Sequence, residues 1–177
     1  MIGGFSMTDK KDKCITIIIM VVLGTCMHFV LDVIPSGSVA VFLGNIFPVN
    51  ETSWEHMKMI WYPFLVAGTI HSVRKKDRGY FVAFVVCAVI AMLLQLGAFS
   101  VYQSFTGTSV LVIDIVIYFS SMFFCILLAY DFALKEWTHK MLALWIVLAV
   151  IITAVIIYLT YCPGNGYVFL DNEGFLE

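Results

Sequence analysis

An all-α, polytopic membrane protein is the fold class that this sequence predicts. It reads as one domain over residues 1–177 with five transmembrane helices, the N-terminus inside and the C-terminus outside. Three observations lead there. Of the 177 residues, 62% are hydrophobic and only 12% charged, against roughly 25% charged in soluble domains. Apolar runs of about 20 residues, the length that crosses a bilayer, recur along the chain. Lys and Arg are also segregated among the connecting segments, the asymmetry that orients membrane helices. The expected partners are the lipid bilayer and a second copy of the chain, with an unidentified small molecule or lipid as ligand and no nucleic acid.

The first span is expected over 14–34, after a cytoplasmic N-terminus at 1–13. Lysines, an apolar run and Leu23-Gly24-Thr25-Cys26 have the outline of a lipoprotein leader. Threonine before the cysteine fits that box poorly, and the apolar pattern continues to Ile34, so the helix is expected to stay. The second span is expected over 54–73 and should kink at Pro63, which removes one helix hydrogen bond and crowds the preceding turn. The third, 80–102, carries Ala83, Cys87 and Ala91 four apart, a small-residue ridge for close helix contact, and Gln95 extends that face. The fourth, 110–130, holds Asp114 about one turn inside, with Tyr118 and Ser121 continuing its face. The fifth covers 141–161, followed by an extracytoplasmic tail at 162–177.

Orientation follows from the basic residues. With the N-terminus inside, Lys10, Lys11, Lys13, Arg74, Lys75, Lys76, Arg78, Lys135 and Lys140 are cytoplasmic, and Lys58 alone is outside. His28, Asp32, Glu51, Glu55, His56 and Asp114 then converge at the outer face, as does the acidic tail. His71 and His139 fall on the other side among basic residues and read as interface residues. Asp131 reads as interfacial, near Lys135. The cysteines show no zinc-ribbon or redox spacing.

Within that outer group, His28 and Asp32 are four apart and share one helix face, a spacing that can hold a metal or form a buried His–Asp tie. A lone carboxylate at Asp114 needs a cation, a proton or a donor beside it, because an intramembrane charge is costly. The segment at 48–58, PVNETSWEHMK, begins the second helix. Asn50 can cap it with Val49 and Trp54 as a hydrophobic staple, or Thr52 can cap it with Glu55 closing a capping box. Either arrangement employs one or two residues. Glu51, Glu55, Lys58 and Tyr62 would share one helical face, with His56 projecting about 100° away.

At these residues the chain resembles a family of small bacterial integral membrane proteins grouped as a domain of unknown function. The resemblance rests on His28-Phe29 with Asp32, on Val49-Asn50-Glu51-Thr52-Ser53-Trp54-Glu55-His56-Met57-Lys58, and on Cys162-Pro163 leading to Phe169-Leu170-Asp171 and Gly174. It spans the whole chain. It implies a shared membrane fold and a place in a bacterial cytoplasmic membrane, but no activity.

Two functions fit the residues. One is a metal-dependent membrane hydrolase acting on a lipid or other amphiphile. His28, Asp32, His56 and Asp114 would ligate a divalent cation such as zinc or manganese, Glu55 or Glu51 would act as general base, and Lys58 would stabilise an anionic group. The other is a proton- or cation-coupled transporter in which Asp32, Glu55 and Asp114 exchange ions, with a dimer building the pathway. A structural or regulatory protein, whose polar cluster only fixes helix packing, requires the least.

Overall fold

The computed structural model describes residues 7–34, 37–165 and Phe169, so the acidic tail residues Asp171, Glu173 and Glu177 lie outside the described residues. Every regular element among the described residues is helical. The elements are α1 (Met7–His28), a 3-10 turn (Leu31–Val33), α2 (Ser38–Leu43), α3 (Ser53–His56), α4 (Lys58–Lys75), α5 (Gly79–Thr106), α6 (Leu111–Ala133) and α7 (His139–Tyr161).

Among the described residues four helices, not five, are long and apolar enough to cross a membrane: Lys10–Val33, Gly79–Thr106, Leu111–Ala133 and His139–Tyr161. The expected second span is the exception. Its helix, α4, has 18 residues, about 27 Å at 1.5 Å per residue, just under a hydrocarbon core of about 30 Å. It also starts on Lys58 and ends on Arg74 and Lys75, which shortens its apolar part further. The segment before it is a separate short helix, so the 54–73 span divides at Met57.

α4 is nonetheless the best-buried helix of the bundle. α1, α4, α5 and α6 pack in a closed ring, each against two neighbours, and α7 lies on the outside of α5. Ile60, Trp61 and Phe64 of α4 are fully buried, as are Ala83, Phe84, Cys87, Ala88 and Ala91 of α5 and Met122 and Ile126 of α6. The expected small-residue ridge of α5 is therefore a packing surface. α7 buries only Ala149 and Ile156 and leaves Val147, Val150, Ile151 and Tyr158 exposed. So much exposed hydrocarbon on one helix suits lipid and not water.

Two close approaches fix the ring. Pro63 has no N–H, so the carbonyl of Met59 four residues earlier has no helical donor. α1 meets that carbonyl at Gly24, where an added Cβ would stand 2.6 Å from it and would also collide with the Tyr118 hydroxyl of α6. Gly68 of α4 likewise sits against Phe84 of α5.

The two ends of the bundle differ in charge. One end gathers the basic residues. There His71 is buried, not interfacial as its neighbours in sequence suggest, because its ring lies inside the α1–α4–α6 contact. Its Nε2 lies 3.0 Å from both the Thr16 and the Tyr130 hydroxyls. Asp12 pairs with Lys75 at 2.9 Å, and Asp131 pairs with Lys13 at 3.3 Å, not with Lys135. The other end carries His28, the segment at 48–58 and Asp114.

Candidate functional site

The local structure of the 48–58 segment decides which side chains meet. Thr52 is the N-cap of α3, its hydroxyl accepting from the Glu55 backbone N–H at 3.3 Å. Asn50 Oδ1 accepts from the Thr52 N–H at 3.1 Å and from its hydroxyl at 2.7 Å, which folds the chain ahead of the cap into a tight turn. Glu51 consequently lies before the helix, outside its 3.6-residue periodicity. Glu55, Lys58 and Tyr62 do share a face, as expected, and that face points at the 38–49 segment.

Two clusters result. In the first, Glu55 and Lys58 form a buried ion pair at 2.6 Å, with side chains 3% and 0% exposed. Both groups make further hydrogen bonds. Glu55 also accepts from the Val49 N–H at 3.0 Å and the Thr160 hydroxyl at 3.0 Å. The Lys58 ammonium also donates to the Gly44 carbonyl at 2.7 Å and to that of Phe47 at 3.4 Å. A buried charge pair persists only when its other lone pairs and protons are satisfied in this way. The pair ties α3 and α4 to α7 and to the segment before them.

In the second cluster, His28, Glu51 and His56 offer three ligand atoms within 4.8 Å of one another, the only such trio among the described residues. His28 Nε2 lies 3.3 Å and His56 Nε2 3.5 Å from Glu51 Oε2. Ligands on a tetrahedral zinc with bonds of about 2.05 Å stand about 3.3 Å apart. The two imidazole rings are 5.1 Å apart between centroids. His56 Nδ1 donates to the Thr52 carbonyl at 2.8 Å. That bond fixes the tautomer and leaves the Nε2 lone pair facing Glu51, the orienting contact that metal-bound histidines make. α3 lies outside the four spans, and burial pushes the His56 imidazole below the usual histidine range despite that hydrogen bond and the charge of Glu51. A neutral imidazole is the form that binds metal. His28 Nδ1 is buried with no hydrogen-bond partner. The site is open on one side, since the Glu51 side chain is 54% exposed.

Of the predicted metal ligands, His28 and His56 come together, while Asp32 and Asp114 do not join them. Asp32 is exposed in the 3-10 turn. Asp114 accepts from the Tyr102 and Ser109 hydroxyls, a local tie between the end of α5 and the start of α6. Its charge still reaches His56. Of the three residues assigned catalytic roles, Glu55 and Lys58 hold each other, and Glu51 stands between the histidines. Glu51 was legible as a ligand only through the choice of cap: with Thr52 capping, it leaves the helix and turns toward His56.

Comparison with known families gives one match: the model of a family of unknown function, DUF6512, covers residues 5–174. Neither the curated proteins nor the solved structures contain a match to this chain.

Proposed function

The chain belongs to that family of unknown function, and we propose that it is a membrane protein binding a divalent metal at the outer end of its helix ring. The ligands are His28, Glu51 and His56, and zinc or manganese is the ion. The observation that carries this is the pair of separations from Glu51 Oε2, 3.3 Å to His28 and 3.5 Å to His56, with His56 held in the metal-binding tautomer. Three protein ligands leave a fourth position for water or substrate, the arrangement of catalytic and not structural zinc sites. A metal-activated water there would hydrolyse an ester or amide presented at the membrane surface.

In this reading Glu55 and Lys58 hold the ligand segment in place and take no part in proton transfer. Asp114 acts through its field on His56, and Asp32 stays outside the coordination sphere. α4 runs back through the ring from Lys58 at the metal-site end to Lys75 at the basic end, so the chain passes between the two ends five times, although only four of the described helices have the length and hydropathy of a span. In this reading the N-terminus is inside, the C-terminus outside, and the site faces the extracytoplasmic side of a bacterial cytoplasmic membrane. This orientation is supported by the nine basic residues gathered at the opposite end.

The test is metal analysis of the detergent-purified protein after zinc or manganese supplementation. Wild type should carry one ion per chain, and His28→Ala, Glu51→Ala and His56→Ala should each carry little. Asp32→Ala and Asp114→Ala should retain it. Wild-type protein without stoichiometric metal would sink the proposal.

A further inference from the structure

The connection between α1 and α3 has an unusual composition for a segment outside the bundle. From 33 to 50, Val33 to Asn50, there is no charged residue and no histidine: eighteen positions in a row. Yet the segment is no spanning helix, because α2 has only six residues. We propose that residues 38–49 form a cap immersed in the lipid leaflet at the metal-site end of the bundle.

Three independent features converge on this. The first is exposed hydrocarbon. Val39, Val41 and Phe42 are 64%, 60% and 68% exposed, an apolar face that water would not tolerate on so short a helix. The second is depth. The Tyr161 hydroxyl at the end of α7 donates to the Val41 carbonyl at 2.7 Å, and Lys58 at the start of α4 donates to Gly44. The cap therefore sits level with the helix ends and is continuous with the lipid-facing surface of α7.

The third is the treatment of its backbone. Carbonyls exposed to water need no protein partner, whereas irregular backbone within a membrane must be satisfied by protein groups. Here side chains supply the donors. Tyr161 bonds Val41, Asn45 Nδ2 bonds Phe42 at 2.7 Å, and Tyr62 bonds Asn45 at 2.5 Å. Lys58 bonds both Gly44 and Phe47. Such provision suits a hydrocarbon boundary. The occupant of the exposed face is therefore the acyl and glycerol region of the leaflet, by the same logic that places interfacial helices in a bilayer. This inference stands whether or not the site binds metal.

The experiment is photocross-linking in the full chain, reconstituted in vesicles of phosphatidylcholine and phosphatidylglycerol. A benzophenone amino acid replaces Phe42 or Val39 in separate proteins, and Ile151 on the exposed face of α7 serves as the lipid-facing control. These side chains are exposed, so the fold is not at risk. Mass spectrometry should find lipid adducts at 42 and 39 in yield comparable to 151. Adducts at 151 with none at 42 and 39 would overturn the proposal, as would cross-links from 42 running mainly to a second copy of the chain.

Discussion

One eleven-residue stretch contributes to two clusters, each built around a glutamate, and they are put to opposite uses. Glu55 with Lys58 is closed: both charges are buried, and the partners reach from α7 and the cap. His28, Glu51 and His56 form an open trio, with an exposed carboxylate, an oriented imidazole and a second imidazole whose Nδ1 has no partner. The difference lies in saturation as well as in the partner of the carboxylate, an ammonium in one and imidazoles in the other. A buried pair whose ammonium donates three bonds and whose carboxylate accepts three can hold a fold but has little left with which to bind. The half-exposed trio has its ligand atoms at metal spacing.

The largest expected effect comes from opening the closed cluster. Lys58→Met leaves the Glu55 carboxylate buried beside no cation, and breaking a buried pair in this way costs about 3–5 kcal/mol. Unfolding in detergent should show that loss. The double variant Glu55→Gln with Lys58→Met should recover much of it, because the uncompensated charge is gone. If Lys58→Met alone unfolds like wild type, the pair is not the latch described here.

Opening the second cluster should behave differently. His56→Ala removes a ligand and leaves no buried charge, so the metal-free protein should lose little stability. The effect should appear with metal present. Zinc at 100 times its dissociation constant would add about 2.7 kcal/mol to wild-type stability and nothing to His56→Ala. A thermal shift with zinc that survives the substitution would place the metal elsewhere.

How much of this the sequence displays follows from what sequence periodicity can see. The lipid-facing helices α1, α5, α6 and α7 are long continuous apolar runs and were legible as such. The Glu55–Lys58–Tyr62 face was legible too, because those residues sit on helix where spacing dictates direction. α4 was not separable from a span, since the apolar pattern over 54–73 does not show that the helix breaks at Met57 and restarts on Lys58. Glu51 escaped as a ligand because its direction is set by the turn at Asn50 and Thr52, and periodicity says nothing about a residue ahead of the cap. Four-residue spacing joins Asp32 to His28 only if the helix continues, and α1 ends at His28, so Asp32 turns away in the 3-10 turn. In the sequence, Asp114 joins the histidines on depth alone. Depth fixes a level in the membrane but not a position around the bundle, and Asp114 finds Tyr102 and Ser109 instead. His71 was misjudged for the converse reason. Basic neighbours in sequence mark an interface, while the ring itself turns inward to Thr16 and Tyr130.

A smaller effect should separate the clusters by their dependence on α1. Gly24 lies one turn before His28, and a methyl group there meets the Met59 carbonyl and the Tyr118 hydroxyl. Gly24→Ala should destabilise by about 1–3 kcal/mol, the usual range for overpacking. It should also weaken metal binding, because α1 must shift and carry His28 away from α3. Equilibrium unfolding and zinc titration on the same sample check both. Unchanged affinity beside lost stability would mean that His28 does not depend on that approach.

The smallest effect is expected at Thr52, which serves both clusters. Its hydroxyl caps α3 at the Glu55 N–H and bonds Asn50, while its carbonyl orients His56. Thr52→Ala deletes the cap and the turn contact but keeps the carbonyl, so the stability loss should be about 1 kcal/mol. Glu55 stays anchored by Lys58, Val49 and Thr160, so the closed cluster should persist. The open one depends on the Asn50–Thr52 turn to aim Glu51, and its metal affinity should fall. Zinc titration of Thr52→Ala beside Thr52→Ser, which restores the hydroxyl, decides the matter. Serine should recover both the stability and the affinity, and recovery of stability alone would show that the turn does not position the ligand.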